Sequence, residues 1–390
     1  MNSQLINRPK IAVIITSVLV VKFFLQPHLN ELSKIYDVTL FLKNDDPEIF
    51  KLLKLSDKIK IKFINIERNV NIIKDISAFF YLIWVLIHSN FNIVHTLTPK
   101  AGLLGIFAAT ICKVPIRIHT FQGEAWLNKK GIWRWFLKSL DKLISHFATN
   151  ILVVSFSERD FLIANNIISR NKSEVLAHGS IAGVDINRFK PDSALRENAR
   201  NARGYSKDEI VFLYLGRLNK DKGIKELLLG FKSLVEIRCN VRLLIVGPDD
   251  GFLNEVLQFI ATSTSININY EPFTEASEYF MNLADVLVLP SYREGFGVVI
   301  IEAAATGITS IGSRIYGISD ALIDGQTGIM CNVGDSSDLT SVMLKLAEDS
   351  ELRLMLANNA RNRVLQEFRS DIVINAFMKY YEKILSVKKI

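Results

Sequence analysis

Val286-Leu-Val-Leu-Pro290-Ser-Tyr-Arg-Glu294-Gly-Phe-Gly297-Val-Val-Ile-Ile-Glu302-Ala-Ala-Ala305 reads as a buried strand, a glycine-bearing loop and a helix. Four consecutive apolar residues without alternation imply a strand covered on both faces, as in a parallel sheet. Pro290 has no N–H to donate to a ladder and ends the strand. The helix is expected to begin near Gly297, where unpaired backbone N–H groups and the helix dipole favour an anion. Glu302 then falls inside an otherwise apolar helix. A carboxylate there is costly to bury unless something hydrogen-bonds to it. The hydroxyls of a ribose would do so, and a structural ion pair is the alternative.

The same strand–loop–helix unit recurs on both sides of this stretch. In the second half, strands are expected at 211–216, 241–247, 266–270, 286–290, 309–312 and 328–331. The first half gives strands at 11–16, 38–42, 61–64, 93–95, 117–120 and 151–154, with helices at 24–36, 76–89, 102–112, 132–148 and 157–165. Such alternation implies α/β architecture with doubly wound parallel sheets. A glycine- and turn-rich stretch at 179–191 separates the two series and marks a linker. The expected domains are therefore 1–186 and 187–370, both Rossmann-like. An amphipathic helix at 371–390 follows, with packing back on the first domain as one option. Ligands in such folds bind at the carboxyl ends of the strands, so an interdomain cleft is expected there.

Composition narrows the class. Apolar residues make up 49% of the 390 and charged residues 22%, enough for packed cores. Cys112, Cys239 and Cys331 are far apart, which argues against a disulfide framework or zinc site and for a reducing cytosol. The net charge of +7 is uneven: residues 1–186 hold 23 Lys and Arg against 14 Asp and Glu, and the remainder 24 against 26. A basic first half suggests an anionic partner, a membrane surface or a nucleic acid. The apolar run after Arg8 and Lys10 stops at Lys22, well short of the ~20 residues that span a bilayer, and suits a first strand. The apolar run at 76–87 is also too short to span and suits a core helix.

A second motif supports the nucleotide reading. Leu213-Tyr-Leu-Gly-Arg217-Leu-Asn-Lys-Asp-Lys222-Gly223 places two cations after a strand, where a diphosphate would sit. Arginine grips two oxygens through its planar fork, and lysine supplies a compact charge. Together these stretches resemble the family 4 retaining glycosyltransferases of the GT-B fold. The Glu294 to Glu302 pair matches that family's paired-glutamate motif, and Gly216-Arg-Leu with Asp221-Lys-Gly its phosphate loop. Gly325-Gln-Thr-Gly328 and the stretch from Gly312 to Asp320 match later loops. The resemblance implies that Glu294 holds donor-sugar hydroxyls and Glu302 the ribose. It also implies that Arg217 and Lys222 neutralise the departing diphosphate. Gly295, Phe296, Gly297 and Gly317 would line the donor. No Asp-x-Asp motif ends a strand, so neither a metal nor a cofactor is expected; the nucleotide sugar is the substrate. No covalent glycosyl-enzyme is expected either.

The first half carries weaker signals. Many relatives have a histidine just before the glycine of Arg117-Ile-His119-Thr-Phe-Gln122-Gly123, and here that position is Gln122. His119, counted with Glu294, Lys222 and Arg217 as a catalytic candidate, has a satisfied strand histidine as its alternative. His95, Lys100, Gln122 and Gly123 are acceptor-side candidates. The segment from Trp126 to Phe147 mixes three tryptophans with Lys129, Lys130, Arg134, Lys138 and Lys142, which suits an anionic leaflet. Its alternative is an ordinary helix with aromatics in the core. No nucleic-acid-binding motif is visible, so nucleic acid is not an expected partner. The expected acceptor is a lipid-linked (undecaprenyl diphosphate) saccharide in capsule or O-antigen assembly, at the cytoplasmic face. A UDP-linked donor is preferred to GDP. A nicotinamide oxidoreductase would need Gly-x-Gly-x-x-Gly after a first strand, and neither half has it. A decayed nucleotide-binding module is the other rival.

Overall fold

In the computed structural model, which describes residues 8–43, 46–67, 71–263 and 267–388, the chain forms two compact units. One takes the described residues up to Ala182 and those from Asp371 onward; the other runs from Gly183 to Ser370.

The first unit is built on β1 (Lys10–Ile15), β2 (Asp37–Leu42), β3 (Lys60–Phe63), β4 (Ile93–Leu97), β5 (Ile116–Phe121), β6 (Asn150–Val153) and the two-residue β7 (Ser173–Glu174). They pair in parallel in the order β3-β2-β1-β4-β5-β6-β7. Its longer helices are α1 (Gln26–Ile35), α2 (Ile72–Ser89), α3 (Pro99–Ile111), α4 (Gly131–Phe147) and α5 (Phe156–Ala164). Strand order reverses direction between β1 and β4. Right-handed crossovers then put α2, α3 and α4 on one face and α1 on the other. β1 shows why both layers are needed. Ile11, Val13 and Ile15 enter the core with α1, whereas Ala12 and Ile14 enter the core with α2 and α3.

The C-terminal helix Ser370–Lys388 adds Phe377, Tyr380, Tyr381, Ile384 and Leu385 to the α1 side of this core. The passage between units lies at 182–183, four residues before the expected boundary. Val184 forms a parallel bridge with Arg369, its N–H donating to Phe368 O at 2.7 Å, so residues 183–186 belong to the second unit.

The second unit pairs β8 (Ile210–Leu215), β9 (Val241–Val246), β10 (Ile268–Glu271), β11 (Val286–Leu289), β12 (Thr309–Ser313) and β13 (Ile329–Cys331). All pairings are parallel, in the order β10-β9-β8-β11-β12-β13. Of the expected strand at 266–270, Ile266 lies outside the described residues. Helix α6 (Ile224–Ile237) follows β8, α7 (Val298–Ala305) follows β11, and the single turn α8 (Ile318–Ala321) follows β12. The order reverses between β8 and β11, the kind of switch point where ligands of open α/β sheets bind.

One expectation about packing is corrected. The helix expected to be core, α2, is apolar all round but buries only Ala78, Leu82, Val85 and Leu86. Ile73, Phe80 and Trp84 are 82%, 63% and 59% exposed. In the other direction, helix α3 lies unusually close to its strands. A Cβ on Gly102 would stand 2.4 Å from His119 Cε1, and one on Gly105 2.6 Å from Thr96 Cγ2. Gly→Ala inside a helix ordinarily stabilises by about 1 kcal/mol. Here the ring has no room to retreat, so overpacking of about 1–3 kcal/mol outweighs that gain. Gly102→Ala is therefore expected to lower the midpoint of urea unfolding, and an unchanged or raised midpoint would contradict this packing.

Candidate active site

The predicted donor residues come together at the β8/β11 switch point. Lys222 ends a short turn, Lys220–Lys222, after β8, and Glu294 lies in the loop after β11. Lys222 Nζ stands 2.5 Å from Glu294 Oε1, with only 17% and 14% of the two side chains exposed. Ser291 Oγ donates to the same oxygen at 2.8 Å. Removing either member of so shielded a pair would strand the other charge.

Backbone contact brings these loops together. Gly223, at φ +67°, lies so close to Pro290 that a Cβ would stand 2.0 Å from its carbonyl oxygen. The Tyr292 N–H donates to Asp221 O at 2.8 Å. Gly317, at φ +80°, presses on the same loop from β12: a Cβ would stand 2.5 Å from Glu294 O and 2.7 Å from Gly295 O. Both positions need glycine twice over, for the left-handed backbone and for the close approach.

Arg217 is 45% exposed in its side chain and pairs with Asp250 at 2.5 Å; Asn219 Nδ2 donates to the same carboxylate at 2.8 Å. Gly297 caps the start of α7, and Glu302 stands on that helix, half-buried. Burial pushes the Glu302 carboxyl up to about 7, opposed by the Arg188 charge and assisted by Glu278. Its carboxylate accepts no side-chain or backbone hydrogen bond among the described residues. A raised carboxyl on the helix that starts at Gly297, with Arg188 and Glu278 as the charges acting on it, has the character of a ligand-site group. Phe296 is corrected: its side chain is buried against Phe368, with ring centroids 5.4 Å apart, and packs rather than lines the site. Sequence reasoning missed Asp250 and Ser291, whose only signal is a polar residue in the correct loop. Among the described residues no group of three or more His, Cys, Asp or Glu could hold a metal ion.

The first-unit candidates fare differently. His119 is 2% exposed, lies beneath Gly102 and bonds Thr96 Oγ1 through Nδ1 at 2.9 Å. Burial pulls it down to about 3, so it is a neutral packing residue, and the catalytic expectation for it is corrected. His95 is likewise buried, with Nδ1 2.6 Å from Tyr381 Oη and Nε2 2.7 Å from Thr120 Oγ1. With both ring nitrogens engaged, it is no acceptor contact. Lys100 forms an ion pair with Asp75 at 2.7 Å. Gln122 and Gly123 are half-buried at the end of β5, and the Gly123 N–H donates to Glu158. Burial, then the Glu124 charge, pushes the Glu158 carboxyl well above the usual range. This carboxyl pair under the loop left no trace in the sequence reading.

Trp126 is corrected as well. It lies before α4, fully buried, stacked on Phe161 with centroids 5.7 Å apart, and its Nε1 donates to Asp141 Oδ2 at 2.8 Å. Arg134 and Lys138 lie over its ring at 5.6 and 5.3 Å. Trp133 and Trp135, in contrast, are 66% and 68% exposed.

Comparison with known proteins agrees with this geometry. Residues 196–363 match the family model described as "Glycosyl transferases group 1", and residues 29–180 that of "Glycosyltransferase Family 4". The chain is 32% identical over 340 residues to the capsular polysaccharide biosynthesis glycosyltransferase CapM of Staphylococcus aureus, covering 86% of this chain and 88% of that protein. It is 28% identical over 316 residues to the N,N'-diacetylbacillosaminyl-diphospho-undecaprenol alpha-1,3-N-acetylgalactosaminyltransferase of Campylobacter jejuni, covering 79% and 81%. Among solved structures, Anabaena Alr3699/HepE in complex with UDP and glucose shares the fold, with TM-score 0.79, 17% identity and coverage of 96% and 100%.

Asp141 provides a pH-dependent test of the packing around Trp126. Burial raises its carboxyl from 3.8 to about 7, against the Trp126 hydrogen bond and with the Glu124 charge. The protonated form favoured by the fold stabilises it fully below the unfolded value, and that contribution is lost as pH rises through about 7. Asp141→Asn keeps an acceptor for Trp126 and never ionises. Its stability relative to the natural chain is expected to rise by about 1.4 kcal/mol per pH unit across this window. Urea titrations from pH 4 to pH 8 that show a constant difference would contradict the assignment.

Proposed function

This chain belongs to the family 4 glycosyltransferases, and from that premise we propose that it moves a sugar from a UDP-linked donor to an undecaprenyl-diphosphate-linked saccharide with retention of configuration. The carrying observation is the Lys222–Glu294 pair, held at 2.5 Å between the loop after β8 that also carries Arg217 and the loop after β11 that leads into α7. Departure of a nucleoside diphosphate builds negative charge. Lys222, Arg217 and the first backbone N–H groups of α7 are preorganised donors for that charge. No divalent ion is needed in this reading. Glu302, whose raised carboxyl accepts no hydrogen bond among the described residues, takes the ribose hydroxyls, and Glu294 takes those of the sugar. Gly295, Gly297 and Gly317 let backbone approach the donor closely.

The acceptor class rests on the relatives: one is named for an undecaprenol-linked substrate and another for capsular polysaccharide biosynthesis. A lipid-linked acceptor requires access to a membrane surface. The exposed Trp133 and Trp135, with the exposed Lys129, Lys130 and Lys142 around them, suit the anionic cytoplasmic leaflet. We place the enzyme there peripherally, in assembly of a cell-surface polysaccharide.

Calorimetric titration with UDP, GDP and their sugars separates the roles. Glu302→Ala is expected to weaken free UDP by about tenfold or more, the loss of a hydrogen bond to a charged group. Glu294→Ala is expected to spare free UDP and to abolish most sugar-dependent turnover. Lys222→Ala is expected to lower kcat by about a hundred- to a thousandfold, as removal of a preorganised charge does. Equal loss of free-nucleotide affinity in both glutamate variants would overturn the division. Tighter binding of GDP than UDP would reassign the donor base.

A further inference from the structure

Helix α2 presents a second apolar surface that the transfer reaction does not use. Ile73, Ile76, Phe80, Trp84 and Ile87 follow one another at i+3 and i+4 and are all exposed, Ile73 at 82%. At 1.5 Å per residue this stripe is about 21 Å long. The opposite side of the helix, Ala78, Leu82, Val85 and Leu86, is packed into the unit's core. A helix apolar all round is ordinarily enclosed by protein or by lipid. Here one half is enclosed and the other half is not.

The surroundings say what would cover it. The only carboxylate on the helix, Asp75, is at its first turn and paired with Lys100 at 2.7 Å. Glu67, from the loop before the helix, pairs with Lys74 at 2.5 Å on the same first turn, and from Ile76 onward the helix itself carries no carboxylate. Helix α3 contacts both α2 and α4, so the three lie side by side on one face of the sheet. The next helix but one thus carries Trp133 and Trp135, with basic residues around them. An apolar stripe beside a basic, aromatic one has the charge pattern of an interfacial helix on an anionic bilayer.

We propose that the exposed stripe of α2 is an insertion element that lies in the interface of an anionic membrane, with α4 as its electrostatic neighbour. Because its other side is packed against the sheet, α2 lies in the interface rather than spanning it. The proposal rests on the reading that the chain works at a membrane, and its test separates the two.

Vesicles of phosphatidylcholine with phosphatidylglycerol are the probe, used with the whole chain in a flotation assay. Ile76→Asp combined with Phe80→Asp is expected to lower partitioning by about tenfold or more, since each buried apolar group contributes to interfacial binding. Raising salt is expected to weaken the natural chain through its basic residues. Both substituted positions are exposed, and an unchanged circular dichroism spectrum checks the fold. A second measurement leaves α2 intact. In Trp133→Phe, Trp135→Phe protein, Trp84 is the one exposed tryptophan, because the fourth, Trp126, is buried. Brominated acyl chains are expected to quench it. Absence of vesicle binding by the natural chain would overturn the membrane reading and the insertion element together. Binding that ignores the double substitution, or leaves Trp84 unquenched, would overturn the insertion element alone. Sedimentation showing a dimer dispersed by Ile76→Asp would assign the stripe to a second copy and overturn it too.

Discussion

A parallel sheet has to bury both faces, and that requirement organises this molecule. Ile11 to Ile15 alternate between two cores, and β11, Val286–Leu289, is buried throughout. With helices covering each face, chemistry is left to the loops at the strand ends, and among these the switch point between β8 and β11 is favoured. Glycine at 223 and 317 lets three such loops touch backbone to backbone. The outcome is a frame that sets Lys222 against Glu294.

The polar groups divide into two kinds by their partners. His95, His119 and Asp141 are buried and satisfied, so their shifted protonation serves packing. Glu302 is shifted in the same way by burial, yet lacks a hydrogen-bond partner among the described residues. Half-buried on α7 rather than enclosed, Glu302 keeps its carboxyl open to a partner from outside the protein, which His95, His119 and Asp141 do not.

Legibility in the sequence followed the range of the interaction involved. Strand and helix succession was readable because it depends on neighbouring residues. The placement of Arg217, Lys222, Glu294 and Glu302 after β8 and β11 was readable because each follows its strand at a short spacing. Phe296 was misread, and the choice between two readings of His119 and Trp126 stayed open, because their burial depends on Phe368, Gly102 and Phe161, outside the local motif. The apolar run of α2 was misread for another reason: an enclosed helix and a lipid-facing one have the same composition, and only the packed structure shows that half of it is bare. The Glu124–Glu158 pair was invisible because two carboxyls in one core leave no pattern along the chain.

The central claim is that this site moves a sugar from a nucleotide donor with its anomeric configuration kept, driven by charge on the protein. The measurement closest to it is NMR of the product formed from a UDP-sugar and a synthetic lipid-diphosphate saccharide, with chelator present. The expected product carries a new glycosidic bond of the donor's own anomeric configuration, formed one for one with released UDP. An inverted linkage, or transfer that ceases when the chelator is added, would contradict it.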